Sequence, residues 1–419
     1  MIRAMTPEAL RVQRVYLLLT LLSTLAASLI WGINTLFLLD AGLNNTEAFA
    51  ANAFFTAGEV LFEIPTGVVA DLWGRRASYL LGSATLLVST LLYLLMWQMH
   101  APLWAWAIAS MLLGLGFTFF SGATEAWLVD ALAFAGYKDA LDRVLSRAQI
   151  VTGAAMLTGT AFGAYLAQLT NLGVPYIVRS ALLGLTLIAA LIWMHDLGFT
   201  PQPRDKLARE VRAVLRASID NGWRRPPVRW LMLSGLCSGG VGIYAFYSLQ
   251  PYLLQLYGDS HAFALSGLAA ALISGSQIAS GLLAPQLRRI FTRRSDVLLV
   301  SAAVVGLSLW GLGAIPKLGF ALSVVVVWSL AFWVAMPMRQ TLLNGMVPSS
   351  QRATVLSFDN LMSSAGGVFA QPALGRVADV SGYGAAYVVC AAIQLTSIPF
   401  LALARREKPA ADAIALDSV

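Results

Sequence analysis

Charge is what this sequence has least of. Asp, Glu, Lys and Arg make up 12% of its 419 residues, against about 25% in an ordinary soluble domain. So few charges cannot clothe a water-soluble particle of this length, and a soluble globular fold is excluded. Cysteine is nearly absent. Cys237 and Cys390 both fall in apolar runs, which excludes a disulfide framework. The three histidines, His100, His195 and His261, lie at the ends of apolar runs or in loops. No Cys/His spacing suits a metal, and no phosphate-binding Gly-Lys-Ser/Thr loop follows a strand. No metal, no cofactor and no direct use of ATP are therefore expected, and the chain does not read as an enzyme. Long polar segments are missing too. The longest, about 198–229, leaves no room for a catalytic or sensory domain. The first apolar run lacks a small-residue cleavage site after it, so it reads as an anchor rather than a signal peptide.

What is abundant is apolar: 58% of the residues are hydrophobic. A membrane-crossing helix needs about 20 apolar residues, and twelve runs qualify. They cover 15–39, 47–71, 77–98, 103–130, 148–169, 174–197, 230–256, 263–287, 296–315, 319–346, 353–375 and 383–404. The expectation is an all-α membrane protein with twelve transmembrane helices. Lys and Arg gather in cytoplasmic loops. With the N-terminus inside, all 28 of them except Arg179, Lys317 and Arg376 lie in the tails or beside loops that follow even-numbered spans. This predicts a multi-pass protein of the cell (inner) membrane with both termini cytoplasmic. The net charge of +7 follows from that bias. Charges scattered over so many segments make no nucleic-acid surface.

The polar gap divides the chain into an N-terminal six-helix bundle (1–197), a cytoplasmic linker (198–229) and a C-terminal six-helix bundle (230–419). Within the linker, 205–221 has the pattern of an amphipathic helix, with Leu207, Val211, Val214, Leu215 and Ile219 on one face, ended by Gly222 and Pro226-Pro227. It is either a solvated connector or a helix lying on the anionic inner leaflet. A short internal repeat supports the division. Gly173-Val-Pro-Tyr-Ile-Val178 opens span six and Gly384-Ala-Ala-Tyr-Val-Val389 opens span twelve. Repeats of this kind underlie alternating access, and the two bundles are expected to be pseudo-symmetric.

One charged turn stands out between spans two and three: Gly67-Val-Val-Ala-Asp-Leu-Trp-Gly-Arg-Arg76. It closely resembles the loop 2–3 signature of the major facilitator superfamily, with Gly67, Asp71, Gly74, Arg75 and Arg76 filling the pattern. Phe62-Glu-Ile-Pro-Thr-Gly67, Ser121-Gly-Ala-Thr-Glu-Ala-Trp-Leu-Val-Asp130, Arg352-Ala-Thr-Val-Leu-Ser357 and Gln371-Pro-Ala-Leu-Gly375 resemble a branch of bacterial exporters in that superfamily. The sequence departs from many proton-coupled drug exporters at two places. Ala109–Gly116 in span four holds no arginine, and span five has Gly153, Gly159 and Gly163 without the proline of the antiporter signature. The resemblance implies a secondary transporter that works by alternating access. It further implies export of a small organic compound, a drug or metabolite, against inward proton flow. The alternative is proton symport, or facilitated uptake, of a small nutrient. Superfamily members usually work as monomers, so the expected partners are a small-molecule substrate, protons and the lipid bilayer.

Ionisable groups inside a span are costly and face a cavity or a partner. Asp71, Arg75 and Asp130 are expected to form an inner latch, with Gly67, Gly74 and Arg76 shaping the turn. Asp71 is also placed to cap the start of span eleven, near Ser349–Thr354; plain interfacial solvation is the other reading. Glu59 and Glu63, one helical turn apart on one face, are candidate proton carriers together with Glu125 and Asp359. A carboxyl that is neutral while shut away from water, and charged once wetted, suits that task. A Glu hydrogen-bonded to a neighbouring helix is the structural alternative. Arg339 and Asp359 stand ten residues either side of residue 349, so a hairpin brings them to one depth. They form either a salt bridge or a site where Arg339 holds an anionic substrate. Trp31, Asn34, Tyr244, Tyr247, Gln250, Gln277 and Trp333 are candidates for a substrate wall of aromatic groups with few polar anchors, or for ordinary helix packing. Gly235, Gly239, Gly240 and Gly242 are expected to let helices approach closely.

Overall fold

The computed structural model describes residues 6–137, 141–200, 216, 219–347 and 352–414. Among them the chain is helical throughout, and no strand forms. The helices are α1 (Pro7–Trp31), α2 (Asn34–Asp40), α3 (Asn45–Trp73), α4 (Arg75–Met99), α5 (Leu103–Thr118), α6 (Ala123–Phe134), α7 (Asp142–Leu169) and α8 (Val174–Trp193). After the linker come α9 (Pro226–Tyr257), α10 (Phe263–Ile290), α11 (Arg294–Ala314), α12 (Leu318–Met346), α13 (Arg352–Leu395) and α14 (Ser397–Arg406). By length and apolar composition, 11 helical segments of the described residues can cross a membrane. Their outward side chains are apolar, Ile150, Leu169, Leu282 and Phe369 among them. Such faces suit lipid, because a helix satisfies its own backbone.

Two predicted spans are not continuous. Span one breaks between α1 and α2 at Gly32–Ile33. Span four breaks between α5 and α6, where Gly122 takes φ +68°, open to a residue without a Cβ. The last candidate span, Val355–Arg406, is 52 residues long. At Gly382 its backbone turns to φ +84° and ψ 166°, which is not helical. The linker helix expected over 205–221 falls largely outside the described residues; Ile219–Trp223 forms one π-helical turn.

The chain divides into two compact units. Unit 1 comprises Met1–Gly42 and Phe54–Leu207, and unit 2 comprises Leu43–Ala53 and Ala208–Val419. The first turns of α3 therefore belong with unit 2 and the rest of α3 with unit 1.

In unit 1, α1 packs chiefly on α7. The contact is made by glycines. A Cβ built on Gly163 would stand 1.9 Å from the Leu29 carbonyl oxygen, and one on Gly159 would stand 2.0 Å from Ser28 Oγ. Gly163→Ala must push the helices apart, so a loss of about 1–3 kcal/mol is expected. Gly153→Ala meets nothing within 4 Å and is expected to be neutral. Thermal unfolding of the two purified variants in detergent checks the contrast. In unit 2, α9 and α13 make the same kind of seam. A Cβ on Gly239 or Gly240 would lie 2.6 or 2.4 Å from the carbonyl of Ser363 or Gly366. Gly235 faces the Arg339 guanidinium instead, and Gly242 only Phe332.

The internal repeat has a structural counterpart in each unit. Tyr176, fully buried near the start of α8, donates to Asn34 Oδ1 at 2.9 Å. Tyr387, fully buried past the Gly382 break, donates to the Ala245 carbonyl at 2.9 Å and accepts from Ser248 Oγ at 3.0 Å. In each half a tyrosine early in the last long apolar stretch ties back to the first. Near the C-terminus, Asp412 accepts from Ser295 N at 2.8 Å and from Ser295 Oγ at 2.7 Å, which caps α11.

Candidate functional site

The C-terminal end of α3 is built around the turn into α4. Gly74 has φ +103°, and a Cβ there would sit 2.3 Å from Asp196 Oδ2. Only glycine meets both demands. The turn lets Asp196, just past the end of α8, accept from the Arg76 backbone N–H at 2.8 Å. That carboxylate satisfies one of the open amides at the start of α4. Burial pushes the Asp196 carboxyl up from its ordinary range, opposed by the Arg76 amide and by the Arg76 and Arg75 charges. Arg76 also donates to the Leu191 carbonyl at 2.8 Å. Arg75 Nη1 donates to Asp71 Oδ1 at 2.6 Å, and its Nε lies 4.0 Å from Asp130 Oδ2. The Phe199 ring stands 5.9 Å from that guanidinium. Asp71, Arg75 and Asp130 are thus brought together within unit 1. Gly67 lies inside α3 with open space where a side chain would go. The cap expected from Asp71 to the start of span eleven involves 348–351, which lie outside the described residues.

Higher in unit 1, Glu59 and Glu63 both lie on α3. Glu63 Oε1 accepts from Ser121 Oγ at 2.8 Å. The break between α5 and α6 puts that hydroxyl there. Glu125 lies in the first turn of α6 and is exposed. Trp31 ends α1, and Asn34 begins α2 with its amide oxygen taken by Tyr176. Beside Asn34 the rings of Phe37, Tyr93 and Tyr176 stack, with Phe37 and Tyr176 only 3.9 Å apart at their centroids, and Trp106 meets Phe37 and Tyr93 edge-on.

In unit 2, Arg339 on α12 and Asp359 on α13 meet in a two-pronged pair. Arg339 Nη2 lies 2.7 Å from Asp359 Oδ1, and Nη1 bonds Oδ2. Nη2 also donates to the Leu231 carbonyl at 3.0 Å. Asp359 is 3% exposed. A cavity of about 90 Å³ opens beside the pair, lined by Ser234, Ser238, Ser301, Trp328 and Gln394. Tyr244 and Gln250 are buried. Tyr247 and Trp333 are half-buried against Phe246 and Phe332, and Gln277 is exposed. Among the described residues no group of three or more His, Cys, Asp or Glu could hold a metal.

Three charged residues escape the sequence reading. Asp196 is the first. Arg179 is the second: it sits inside α8 at 1% exposure, with Nε donating to Thr90 Oγ1 and Nη1 to the Ala26 carbonyl, each at 3.1 Å. Its place five residues into a predicted span was the available signal. The third, Asp379, binds the start of α3 and is treated below.

Comparison with known proteins agrees with this layout. The family model described as Major Facilitator Superfamily matches residues 16–370. No curated protein matches the sequence. Among solved structures, the chain is similar to the nucleoside transporter NupG, with 12% identity and TM-score 0.72 over 95% of this chain and 99% of that one. It is also similar to the peptide transporter POT in complex with sulfate, with 12% identity and TM-score 0.74 over 96% of each chain. A POT family transporter in complex with 5-aminolevulinic acid gives 11% identity and TM-score 0.71 over 95% and 96%. At such identities the likeness is one of fold.

Proposed function

This chain belongs to the Major Facilitator Superfamily, and on that premise we propose that it is a secondary transporter and not an enzyme. In this reading the 52-residue terminal stretch counts as two spans parted at Gly382. That gives twelve helices in two pseudo-symmetric six-helix bundles with both ends cytoplasmic. The bundles rock about a shared site and expose it to each side in turn. The cargo is a small organic compound, exported in exchange for inward protons.

The observation that carries the proposal is the set of carboxyls in unit 1. Glu59 and Glu63 lie four residues apart in a mostly apolar stretch of α3, and Glu63 is held by Ser121 at the break between α5 and α6. A charge there is expensive unless it is transient or partnered. The membrane potential supplies about 2.3 kcal/mol per charge per 100 mV, so one proton per cycle yields a useful gradient. A second reading reverses the direction, with proton-driven uptake through the same groups.

Proteoliposomes separate the two. Uptake of labelled compound driven by an acidic lumen is expected for antiport, whereas uptake driven by acid outside identifies symport. Glu59→Gln is expected to keep counterflow exchange and to lose gradient-driven accumulation. A Glu59→Gln protein that accumulates cargo as the unaltered chain does would remove Glu59 from the proton path.

A further inference from the structure

The start of α3 is held by a residue more than three hundred positions away. Asp379 of α13 lays its carboxylate across the first turn. Its Oδ1 accepts from Asn45 N at 3.0 Å and Asn45 Nδ2 at 2.9 Å. Its Oδ2 accepts from Thr46 N at 2.9 Å and Thr46 Oγ1 at 2.5 Å. The Asn45 amide oxygen is in turn bonded by the Tyr383 hydroxyl. The next open amide is closed locally. Glu47 N donates to Asn44 Oδ1 at 2.9 Å and Asn44 N donates to Glu47 Oε2 at 3.0 Å, which is a capping box. A helix start presents amides that favour an anion, and here a distant carboxylate fills that place.

Apolar contact reinforces the polar one. A Cβ on Gly375 would be 2.8 Å from the Asn45 carbonyl oxygen, so α13 comes against the turn with its bare backbone. One turn on, Phe49 is fully buried, with its ring 4.4 Å from that of Tyr244 on α9. These contacts place Leu43–Ala53 in unit 2, whereas the same helix from Phe54 onward belongs to unit 1.

We infer that Asp379 and the first turn of α3 form a releasable clasp, made in this conformation and broken once per transport cycle. The inference rests on the alternating-access reading. If the bundles rock, a helix whose two ends belong to different units must give way at one of them. The polar half of the clasp suits repeated release, because its groups lie exposed at the surface. Water can replace each bond as it breaks, so the net cost per bond is small. Phe49 supplies the resistance, since it must leave an apolar seat.

The test needs no substrate. A cysteine at Ala48, which is fully buried beside the clasp, is introduced after Cys237 and Cys390 are replaced by serine. Its rate of labelling by a membrane-impermeant maleimide is then measured in vesicles. Asp379→Ala is expected to raise that rate about five- to tenfold, the scale of losing one net hydrogen bond at a solvent-exposed site. Asp379→Asn, which keeps one acceptor oxygen, is expected to raise it less. An unchanged rate in Asp379→Ala overturns the clasp. A control cysteine at Ala190, buried in unit 1, must stay unlabelled. If it too reacts, the alanine variant has unfolded and the asparagine variant decides by the same criterion. Faster labelling without proton-driven flux leaves the clasp standing and sinks the transport reading. Flux with unchanged labelling does the reverse.

Discussion

Replacing Asp359 by alanine is expected to cost about 3–5 kcal/mol of stability, because it leaves the Arg339 guanidinium charged in the interior of unit 2 without its carboxylate. The pair is two-pronged and its carboxylate is almost wholly enclosed. Its Coulomb gain roughly repays desolvation while both partners are present. With one removed, that balance fails. The two single losses are not equal. A carboxylate left alone can take up a proton and become neutral, but a guanidinium cannot shed one. Arg339→Met is therefore expected to be milder than Asp359→Ala. The double change Arg339→Met with Asp359→Leu removes both charges and is expected to recover most of the loss. Thermal unfolding in detergent, followed by size-exclusion chromatography, reads all four proteins. Damage in the double variant equal to the sum of the two single losses would mean that the two side chains act apart. The double variant also separates the two readings of the pair. If it is stable and transports, the bridge is structural. If it is stable and inert, Arg339 or Asp359 meets cargo or protons.

The sequence spoke most clearly where one physical demand acted alone. Burial in lipid sets run lengths, and membrane insertion sets where Lys and Arg fall, so helical class and span positions followed from counting. The Arg339–Asp359 pair followed from hairpin symmetry about residue 349. The Asp71–Arg75 contact is legible from the resemblance of the Gly67–Arg76 turn to the loop 2–3 signature, and not from helical spacing, because Gly74 breaks the helix between the two. What stayed hidden depends on contacts between segments far apart in the chain. Asp196 looks like any acid at a helix end until the positive φ of Gly74 turns the Arg76 amide toward it. The breaks at Gly32–Ile33 and Gly122 sit in runs that are apolar on average, and composition does not register them. Asn44-Asn45-Thr46 matches a glycosylation sequon by pattern, yet its side chains are engaged in capping α3. Arg179 stands in the sequence only as an exception to the Lys and Arg bias, and Asp379 carries no signal there, whereas each makes specific bonds.

Asp71→Asn is expected to fold normally and to slow transport by about 10- to 100-fold. Asparagine has the same shape and still accepts one hydrogen bond, so the helix end and the Gly74 turn are preserved. What it loses is charge. The Asp71 and Arg75 side chains are only 12% and 21% exposed, so solvent does not screen the pair to the sub-kilocalorie value of a surface bridge. A hydrogen bond between charged groups is worth about 1.5–3 kcal/mol. Removing that much from one of two conformers shifts their ratio by about the stated factor. Asp130 lies farther from the guanidinium, at 4.0 Å, so Asp130→Asn is expected to do less. Arg75→Lys keeps the charge but not the planar fork, and should fall between them. Initial rates in proteoliposomes, normalised to folded protein, give the order. If Asp71→Asn transports at the unaltered rate, or if Asp130→Asn is the slower of the two, the inner cluster is interfacial solvation and not a latch. The conformational balance would then rest on the other end of α3.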